Sequence, residues 1–446
     1  MNYEKIKGLY ENMPKKMKYF LSPFFRCVIT CNPIYKSTYK ELDAFENMTE
    51  SEKKSKQFEL LKETLVYADK YVPYYQKLFK EANFKPEEMS DFNDIKKIPL
   101  LTKDMAIEAG TDIYSEEKIN YYESCTGGSS GRALKVLLDK DSIYKERAFT
   151  IHFLSKYGYN QKKTRTLAFW GHNKDADYYY SPMKNEIVIS PFKLFDEKCF
   201  DDIWDTIDSF KPDFVAGYPS AIYLFAQLME KHNKSRNFKL VDFYAENHTQ
   251  EMKNYIEKIM KCKAVSNYGH TERVVFAEEY EKGYKFNDLY GYTEFVPTDN
   301  EGEYQIVCTG FTSRKMPLIR YKTDDVVRFN RDGYAEILGH KFSEVYLISK
   351  TGTKIFKGAL TMHIDVLKKV KQYQYVQFEP GKVFLDLVLL EPLTDEDKNK
   401  IIEYLNCRCE GLLDIQLRIV EKIELTRRGK YNWAVNKIGS ECEEKK

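Results

Sequence analysis

The sequence predicts an α/β fold, with a large N-terminal domain of mixed β-sheets and helices and a small α+β domain at the C-terminus. Short apolar runs alternate with helical patterns through the middle of the chain, which favours a largely parallel sheet. The order of elements changes after about residue 339, and 446 residues are enough for one large and one small domain. We therefore expect domains at 1–338 and 339–446.

The elements of the large domain follow from local patterns. Apolar residues recur at helical spacing over 36–70, and Thr102 is suited to cap a following helix. From about residue 119 the pattern becomes strand, loop and strand, with the second strand at 133–138 and a helix at 139–157. Further on, we predict strands at 166–170 and 214–217, helices at 201–210, 220–232 and 249–260, and a β-rich segment at 302–328.

The elements of the small domain are shorter. We predict a hairpin at 345–355, helices at 360–370 and 395–407, and strands at 375–379, 383–390 and 417–420. The charged tail at 441–446 is expected to be disordered.

Composition excludes several classes of protein. The chain has 70 Lys and Arg against 68 Asp and Glu, a net charge of +2, whereas a nucleic-acid binder usually has a strong basic excess. Its nine cysteines are scattered and contain no pair of CxxC motifs, so a zinc ribbon is not expected. We expect a cytoplasmic protein with reduced, buried thiols, no secretory signal and no transmembrane segment; the sequence leaves the oligomeric state open.

The segment at 19–31 is apolar, but Pro23 and Arg26 interrupt it, and it is shorter than the ~20 residues that span a bilayer. Two interpretations remain, a core-packing segment, which we favour, and weak contact with a membrane surface. The residues that would suit a membrane surface are Lys15, Lys16, Lys18, Arg26, Phe20, Phe24 and Phe25.

A glycine- and hydroxyl-rich stretch is a candidate phosphate-binding loop, because glycines allow backbone N–H groups to converge on an anion. An ordinary hairpin loop is the alternative. The stretch consists of Thr126, Gly127, Gly128, Ser129, Ser130, Gly131 and Arg132.

Two other motifs compete for the same stretch. A P-loop requires a Lys after the last glycine and a helix, but Arg132 and a strand pattern follow here. A hydrolase nucleophile elbow would use Ser129 and also requires a helix directly after the serine. A serine hydrolase and a non-catalytic nucleotide-binding relative both stay open as alternatives to a ligase.

Several motifs occur in a fixed order over nearly the whole chain. They are Val72-Pro73-Tyr74-Tyr75, Ile98-Pro99-Leu100-Leu101-Thr102-Lys103, the stretch from Thr126 to Arg132, Pro212-Asp213, Gly217-Tyr218-Pro219-Ser220, Ala245-Glu246, Tyr268-Gly269-His270-Thr271-Glu272, Arg320-Tyr321-Lys322-Thr323-Asp324-Asp325 and Arg428-Gly429-Lys430. This set resembles the phenylacetate–CoA ligase-like branch of the adenylate-forming superfamily, which includes capsular-polysaccharide-associated members. The sequence departs from the family pattern at Gly127, Ala133, Asp324 and His340.

The resemblance implies a ligase that uses ATP and Mg²⁺ to convert a small carboxylic acid into an acyl-adenylate, and then forms a thioester with coenzyme A. Amide or ester formation on a sugar or other acceptor is the alternative second step. The implied catalytic residues are Lys430, Thr271 and Glu272, with Glu272 as the magnesium ligand. The implied substrate-binding residues are Trp170, Tyr218 and His270. The implied nucleotide-binding residues are Thr126, Gly127, Gly128, Ser129, Ser130, Gly131, Arg132, Ala245, Glu246, Asn267, Tyr268, Gly269, Asp325 and Lys341.

The side chains suit these roles chemically, and each also has a plainer interpretation. Two carboxylate oxygens of Asp325 match two ribose hydroxyls, although a turn at Asp324-Asp325 is the alternative. Glu272 offers a hard oxygen ligand or is a surface carboxylate. Tyr268 would stack on adenine or lie in the core, and His270 would line the acyl pocket or face solvent. Lys430 is a mobile positive charge or part of a solvated basic run.

Overall fold

The computed structural model describes residues 13, 15–126, 134–169, 178–181, 184–190, 194, 199–244, 248, 250–339, 346–355, 360, 362, 364–423 and 434–438. The helices are α1 (Lys15–Cys31), α2 (Pro33–Glu46), α3 (Glu50–Tyr71), α4 (Pro73–Glu81), α5 (Lys103–Glu108), α6 (Ser142–Ser155), α7 (Phe200–Phe210), α8 (Pro219–Lys231), α9 (Gln250–Met260) and α10 (Asp395–Cys409). Three-ten helices lie at Pro86–Glu88, Phe92–Lys97 and Asp365–Lys369.

The strands run in the alternation that the sequence predicts. They are β1 (Tyr121–Cys125), β2 (Lys135–Asp139), β3 (Thr166–Phe169), β4 (Tyr178–Ser181), β5 (Glu186–Ile189), β6 (Phe214–Gly217), β7 (Leu240–Phe243), β8 (Lys263–Gly269), β9 (Phe276–Tyr280), β10 (Gly283–Phe286), β11 (Gly291–Pro297), β12 (Glu303–Gly310), β13 (Tyr321–Phe329), β14 (Ala335–Gly339), β15 (Leu347–Ile348), β16 (Lys354–Ile355), β17 (Val370–Glu379), β18 (Lys382–Leu389), β19 (Asp414–Ile419) and β20 (Ala434–Asn436).

One mixed sheet organises the N-terminal part of the chain. In the residues that the structure describes it has the order β11-β12-β13-β14-β10-β9-β8-β7-β6-β3-β5-β4. Strands β5, β3, β6, β7 and β8 are parallel neighbours, whereas β8 onward pairs antiparallel through β9 and β10. The parallel half therefore ends at β8, where the two kinds of pairing meet.

The parallel strands are covered on both faces, because their side chains alternate between two hydrophobic clusters. Leu167, Val215 and Val241 pack in the cluster that includes α7, α8 and α9. Phe214 and Leu240 face the other way and pack against the end of α6. The short strands are thus held between helical layers, which fixes the edge where they end.

The predicted helical run at 36–70 is two helices, not one. Asn47, Met48 and Thr49 separate α2 from α3, and Thr49 forms a capping box with Glu52. The Glu52 carboxylate accepts from the Thr49 backbone N–H at 2.8 Å. This reciprocal cap starts a new helix and so interrupts the apolar periodicity.

The segment before α5 joins the large sheet. Leu101 forms a parallel bridge with Tyr321, and its backbone N–H donates to the carbonyl oxygen of Arg320 at 2.9 Å. Thr102 caps α5 as predicted, since its Oγ1 accepts from the backbone N–H of Met105 at 3.2 Å. The pairing brings the start of α5 beside the start of β13.

Arg320 stabilises the junction between the segment before α5 and the start of β13. Its guanidinium makes a bidentate pair with Glu294 at 2.9 and 2.8 Å and also donates to the carbonyl oxygens of Lys96 and Ile98. Both side chains of the pair are buried.

Residues after β14 build their own sheet and core. Strands β19-β18-β17-β20 form a four-stranded sheet, and α10 contributes Ile401 and Leu405 to the hydrophobic cluster around Tyr375 and Leu385. The hairpin β15–β16, the strands β17, β18 and β19 and helix α10 were predicted, whereas β20 was not. The predicted helix at 360–370 is wrong in its C-terminal extent, because the described residues Asp365–Lys369 form a three-ten helix and Val370 already belongs to β17. The predicted disordered tail lies outside the described residues.

The described cysteines are all free thiols. Those of Cys308 and Cys409 are buried, but those of Cys31, Cys125 and Cys407 are exposed, so the expectation of generally buried thiols is wrong. None of the helices in the described residues combines the length and apolarity that crossing a bilayer requires.

Candidate active site

Several of the predicted site residues lie at the carboxyl ends of β6 and β8, two parallel strands on either side of β7. Tyr218 follows β6 directly, Asn267 to Gly269 end β8, and His270, Thr271 and Glu272 continue from it. Carboxyl ends of neighbouring parallel strands share one edge, and in open α/β sheets that edge is where ligands bind. The fold therefore gathers residues from two separate motifs, as predicted.

Gly217 shows how tightly this edge is built. Its φ of +150° lies in a region that favours glycine, and an added Cβ would lie 2.5 Å from the carbonyl oxygen of Phe169. The Gly217 carbonyl accepts from the backbone N–H of Tyr244. A side chain at 217 would push β6 away from β3, so glycine is required there to place Tyr218.

Asp325 is the centre of a side-chain cluster at the end of β8. The Tyr268 hydroxyl donates to its Oδ2 at 2.7 Å, and the His270 Nε2 lies 2.7 Å from the same oxygen. The rings of Tyr268 and His270 meet edge to face, with centroids 4.8 Å apart. Gln305 holds the backbone by donating to the Asp325 carbonyl oxygen at 2.9 Å.

This geometry decides between interpretations that the sequence left open. Asp325 is buried within β13, so the turn at Asp324-Asp325 is wrong. His270 is largely buried and bound to a carboxylate, so the solvent-facing interpretation of His270 is also wrong. Tyr268 packs against the core with its ring while its hydroxyl meets Asp325.

The cluster shifts the protonation of its members. Burial lowers the pKa of His270, but the hydrogen bond and charge of Asp325, with the nearby carboxylates of Glu272 and Asp324, outweigh burial and raise it overall. Burial, together with the Asp325 charge, raises the pKa of Tyr268 well above its ordinary value. The His270–Asp325 pair is therefore stabilised in its charged form.

Glu272 lies in a second cluster beside the first. Its Oε1 accepts from the Tyr321 hydroxyl at 2.9 Å. Burial lowers the pKa of Lys103, and the carboxylates of Asp324, Glu272 and Asp104 oppose that effect. Glu272 is thus part of a mixed acidic and basic group, and it is not an isolated surface carboxylate.

The sequence analysis missed Lys103 and Tyr321 as site residues. Both stand in motifs that were recognised, but the reason they meet Glu272 is the bridge between Leu101 and Tyr321. That bridge joins distant parts of the chain, and no local pattern predicts it. The position of Lys103 at the end of a recognised motif was the available signal.

Magnesium would fit Glu272 only with ligands from elsewhere. In the residues that the structure describes, His, Cys, Asp and Glu form no group of three or more that could hold a metal ion. Mg²⁺ usually binds through one or two carboxylates, several waters and substrate phosphates. A single carboxylate at 272 is compatible with that mode.

The candidate phosphate loop joins two antiparallel strands. Strands β1 and β2 pair from Tyr121–Asp139 to Cys125–Lys135, and Thr126 closes the hairpin by accepting from the Leu134 backbone N–H at 3.0 Å. The predicted strand, loop and strand order is confirmed. Where the described residues resume after this stretch, at Leu134, they lead into strand β2 and not into the helix that a P-loop or a nucleophile elbow requires.

Asp139 anchors the base of this hairpin. Its carboxylate accepts from the backbone N–H groups of Arg314 and Lys315 at 2.9 and 2.7 Å and from the Ser313 hydroxyl at 3.0 Å. The β1–β2 hairpin is therefore attached at its base to the segment that leads into β13.

A third polar group lies inside the sheet edge. Asp242 is only 2% exposed, and burial raises its pKa to about 8, against the opposing hydrogen bond from Tyr244 and the charge of Arg147. Asn267, predicted to bind nucleotide, lies beside Tyr244. Among described residues, Oδ1 of Asp242 and Nδ2 of Asn267 have no hydrogen-bond partner.

Several predicted site residues lie outside the described residues, and their roles stay predictions. They are Gly127, Gly128, Ser129, Ser130, Gly131, Arg132, Trp170, Ala245, Glu246, Lys341 and Lys430.

Comparisons with known proteins agree with this architecture. The chain is 24% identical over 404 residues to Protein CapK of Staphylococcus aureus, covering 83% of this chain and 86% of that protein. It is 26% identical over 314 residues to phenylacetate-coenzyme A ligase of Escherichia coli K12, covering 65% of this chain and 70% of that protein. The family described as the CapK C-terminal domain matches residues 347–437.

A solved structure of 2-hydroxyisobutyryl-CoA ligase, in complex with 2-HIB-AMP and CoA, has a TM-score of 0.52 to this structure at 15% identity. It covers 88% of this chain and 91% of that chain, and the similarity concerns the fold. The fold is therefore similar to that of a CoA ligase over most of both chains. In sequence, the chain is similar to CapK and to phenylacetate-coenzyme A ligase, and its residues 347–437 match the CapK C-terminal domain.

Proposed function

We propose that this chain activates a carboxylic acid with ATP and transfers the acyl group to coenzyme A. In the first step a carboxylate oxygen attacks the α-phosphorus and pyrophosphate leaves, giving an acyl-adenylate. In the second step the thiol sulfur attacks the acyl carbon, the bond to AMP breaks and the thiol proton is released. The observation that carries the proposal is the Asp325 cluster at the end of β8, where the family motifs meet.

Asp325 is the residue proposed to bind the ribose. Tyr268 and His270 both hold its Oδ2, so the carboxylate is oriented before the nucleotide arrives. Preorganised acceptors lose less conformational entropy on binding. Of the other proposed nucleotide contacts, Asn267 and Gly269 belong to the end of β8, and Ala245 and Glu246 lie outside the described residues.

The phosphates are proposed to lie between the β1–β2 loop and Glu272. Thr271 is exposed directly before Glu272 and is suited to donate to the α-phosphate. Mg²⁺ at Glu272 would neutralise phosphate oxygens. Lys103, which already neighbours the Glu272 carboxylate, would add a positive charge that the sequence analysis did not assign.

We propose that residues 1–338 and 339–446 are separate domains, because the four-stranded sheet and α10 have their own hydrophobic core. Lys430 and Lys341 would then approach the nucleotide from the smaller domain. Closure of that domain would exclude water from the reactive adenylate. The Ser190 hydroxyl donates to the Glu410 carboxylate at 3.3 Å, which links a residue of the first range to a residue of the second.

The acyl group is proposed to lie near Trp170, Tyr218 and His270. Tyr218 is fixed by the close packing of Gly217, and His270 by its bond to Asp325. Position at the sheet edge supports this assignment, and it leaves the identity of the acid to experiment.

Acid-dependent exchange between ATP and labelled pyrophosphate tests the first step. A panel of carboxylic acids should identify at least one that stimulates exchange, and Glu272→Gln and Lys430→Ala should each reduce exchange by at least ~100-fold. Lys422→Ala is a matched control, because Lys422 is an exposed lysine of the same C-terminal part. Exchange that persists in Lys430→Ala would refute the assignment of that lysine.

The acceptor is tested separately by mass spectrometry of products formed with coenzyme A. Thioester formation supports the proposal. Exchange without a thioester would favour transfer to a sugar or another acceptor. Nucleotide binding without exchange on any acid would favour a non-catalytic relative, and ester hydrolysis lost in Ser129→Ala would favour a hydrolase.

A further inference from the structure

The first helix, α1, exposes a stripe of large apolar side chains. Met17, Phe20 and Phe24 are 49%, 85% and 63% exposed. With ~100° of rotation per residue, these three positions fall within about 60° of one another on the helix surface. They form a continuous apolar strip, which we call the α1 stripe.

The opposite side of α1 is the side that contacts the rest of the protein. Ile29 packs against the cluster that contains Tyr35 and Phe149, and Arg26 Nη2 donates to the Tyr180 hydroxyl at 3.1 Å. Arg26 and Ile29 are about 150° from the centre of the stripe. A surface helix normally turns its apolar face inward, whereas here the phenylalanines face outward and an arginine faces the protein. The core-packing interpretation thus holds for Ile29 but is wrong for Phe20 and Phe24.

The charge of α1 differs from that of the whole chain. The helix contains Lys15, Lys16, Lys18 and Arg26 and no acidic residue, whereas the chain as a whole is nearly balanced. Apolar and aromatic residues combined with an excess of Lys and Arg are typical of helices that lie in the interface of a bilayer with anionic lipids.

A second copy of the chain is a less suitable occupant for the stripe. Two α1 helices packed face to face would bring together two segments that each carry Lys15, Lys16 and Lys18, besides the inward-facing Arg26, and no acidic residue. Like charges at such an interface oppose association. Anionic headgroups would neutralise these charges and accept the apolar side chains at the same time.

We propose that α1 binds the surface of an anionic membrane, lying in its plane with Met17, Phe20 and Phe24 inserted among the lipid headgroups. The proposal is independent of the ligase chemistry, because the residues of α1 are far in sequence from the Asp325 and Glu272 clusters. It makes the enzyme a peripheral membrane protein that works beside a lipid surface.

The test is co-sedimentation of the full chain with extruded vesicles. Vesicles of phosphatidylcholine with about one quarter phosphatidylglycerol should bind the protein, and pure phosphatidylcholine should bind it at least ~10-fold more weakly. Phe20→Ser/Phe24→Ser should weaken binding to the anionic vesicles by at least ~10-fold. Added salt should weaken binding of the wild-type protein as well.

Leu390→Ser/Ile419→Ser is the matched control, because these apolar side chains are similarly exposed, at 64% and 60%, in the C-terminal part. This control should bind vesicles like the wild type. Lys15→Gln/Lys16→Gln/Lys18→Gln should reduce binding to the level seen with neutral vesicles. Circular dichroism and pyrophosphate exchange should be unchanged in the stripe variants, which separates lipid binding from folding and catalysis.

A fluorescent reporter gives a direct readout of insertion. Tryptophan in Phe20→Trp, after subtraction of the wild-type spectrum, should shift its emission to shorter wavelength with anionic vesicles. The proposal is overturned if the wild type does not bind these vesicles, or if Phe20→Ser/Phe24→Ser binds as well as the control. It is also overturned if light scattering reveals a wild-type dimer that this variant dissociates while vesicles leave it intact.

Discussion

Replacing Asp242 by asparagine should change how the stability of this protein depends on pH. The pKa of Asp242 is raised by burial from an ordinary value of 3.8 to about 8. Between these two values, the folded protein keeps a proton that the unfolded chain releases. The stabilisation of the folded protein by protonated Asp242 is therefore fully present below about pH 4 and is lost as pH rises through about 8.

The magnitude follows from the difference of one bound proton. The free energy of unfolding should fall by at most about 1.4 kcal/mol for each pH unit in this window, or about 2.7 kcal/mol from about pH 5 to 7. Asparagine has the shape of the protonated carboxyl group and does not ionise. Asp242→Asn should remove this slope and should gain stability relative to the wild type as pH rises.

The assay is urea unfolding at about pH 5, 6 and 7, followed by circular dichroism, with the free energy of unfolding compared between variant and wild type. Asp299→Asn is the control, because it makes the same chemical change at an exposed carboxylate between β11 and β12. If the variant and wild-type curves ran parallel across this range, Asp242 would be ionised in the folded protein and the reasoning would be wrong.

Two further predictions concern the site and its support. His270→Asn should lower the free energy of unfolding by about 1–3 kcal/mol near pH 6 and by less near pH 8.5. The pKa of His270 is raised in the folded protein beside Asp325, so protonated His270 stabilises the fold fully at pH values below its pKa in the unfolded chain. This stabilisation is lost as pH rises through the pKa of His270 in the folded protein. Thermal unfolding at both pH values measures this, and an equal penalty at both would contradict it. Arg320→Met should cost about 3–5 kcal/mol, since it leaves the Glu294 carboxylate buried without its partner. Urea unfolding should reveal partial recovery in Arg320→Met/Glu294→Gln, and a double variant no more stable than the single one would count against this account.

The sequence predicts the site best where the site residues follow one another at the end of a single strand. Tyr268 to Glu272 follow a strand pattern, and parallel strands bring their carboxyl ends to one edge, so the meeting of motifs could be anticipated. The strand after the glycine-rich stretch was also predictable, because β2 has a continuous apolar run.

Other features depend on contacts between distant segments, which local patterns do not contain. The charges of Lys103 and Glu272 interact because the pairing of Leu101 with Tyr321 brings the start of α5 beside β13. The bond from His270 to Asp325 joins two motifs across β13 and β8. The outward orientation of α1 likewise could not be predicted, since an amphipathic helix has the same periodicity whichever face it turns to the protein.

The contacts of Arg320 with Ile98 have a consequence for synthesis of the chain. The two residues are 222 positions apart, and at ~5–20 residues per second a ribosome needs roughly 10–45 s to translate that interval. During this time the emerging N-terminal helices lack their final docking surface, and the inner face of α3, with Leu61 and Leu65, stays open to water or to chaperones. The N-terminal third of the chain can therefore finish packing only after β13 has been synthesised. Truncated nascent chains that stop before β13 should bind a holdase chaperone.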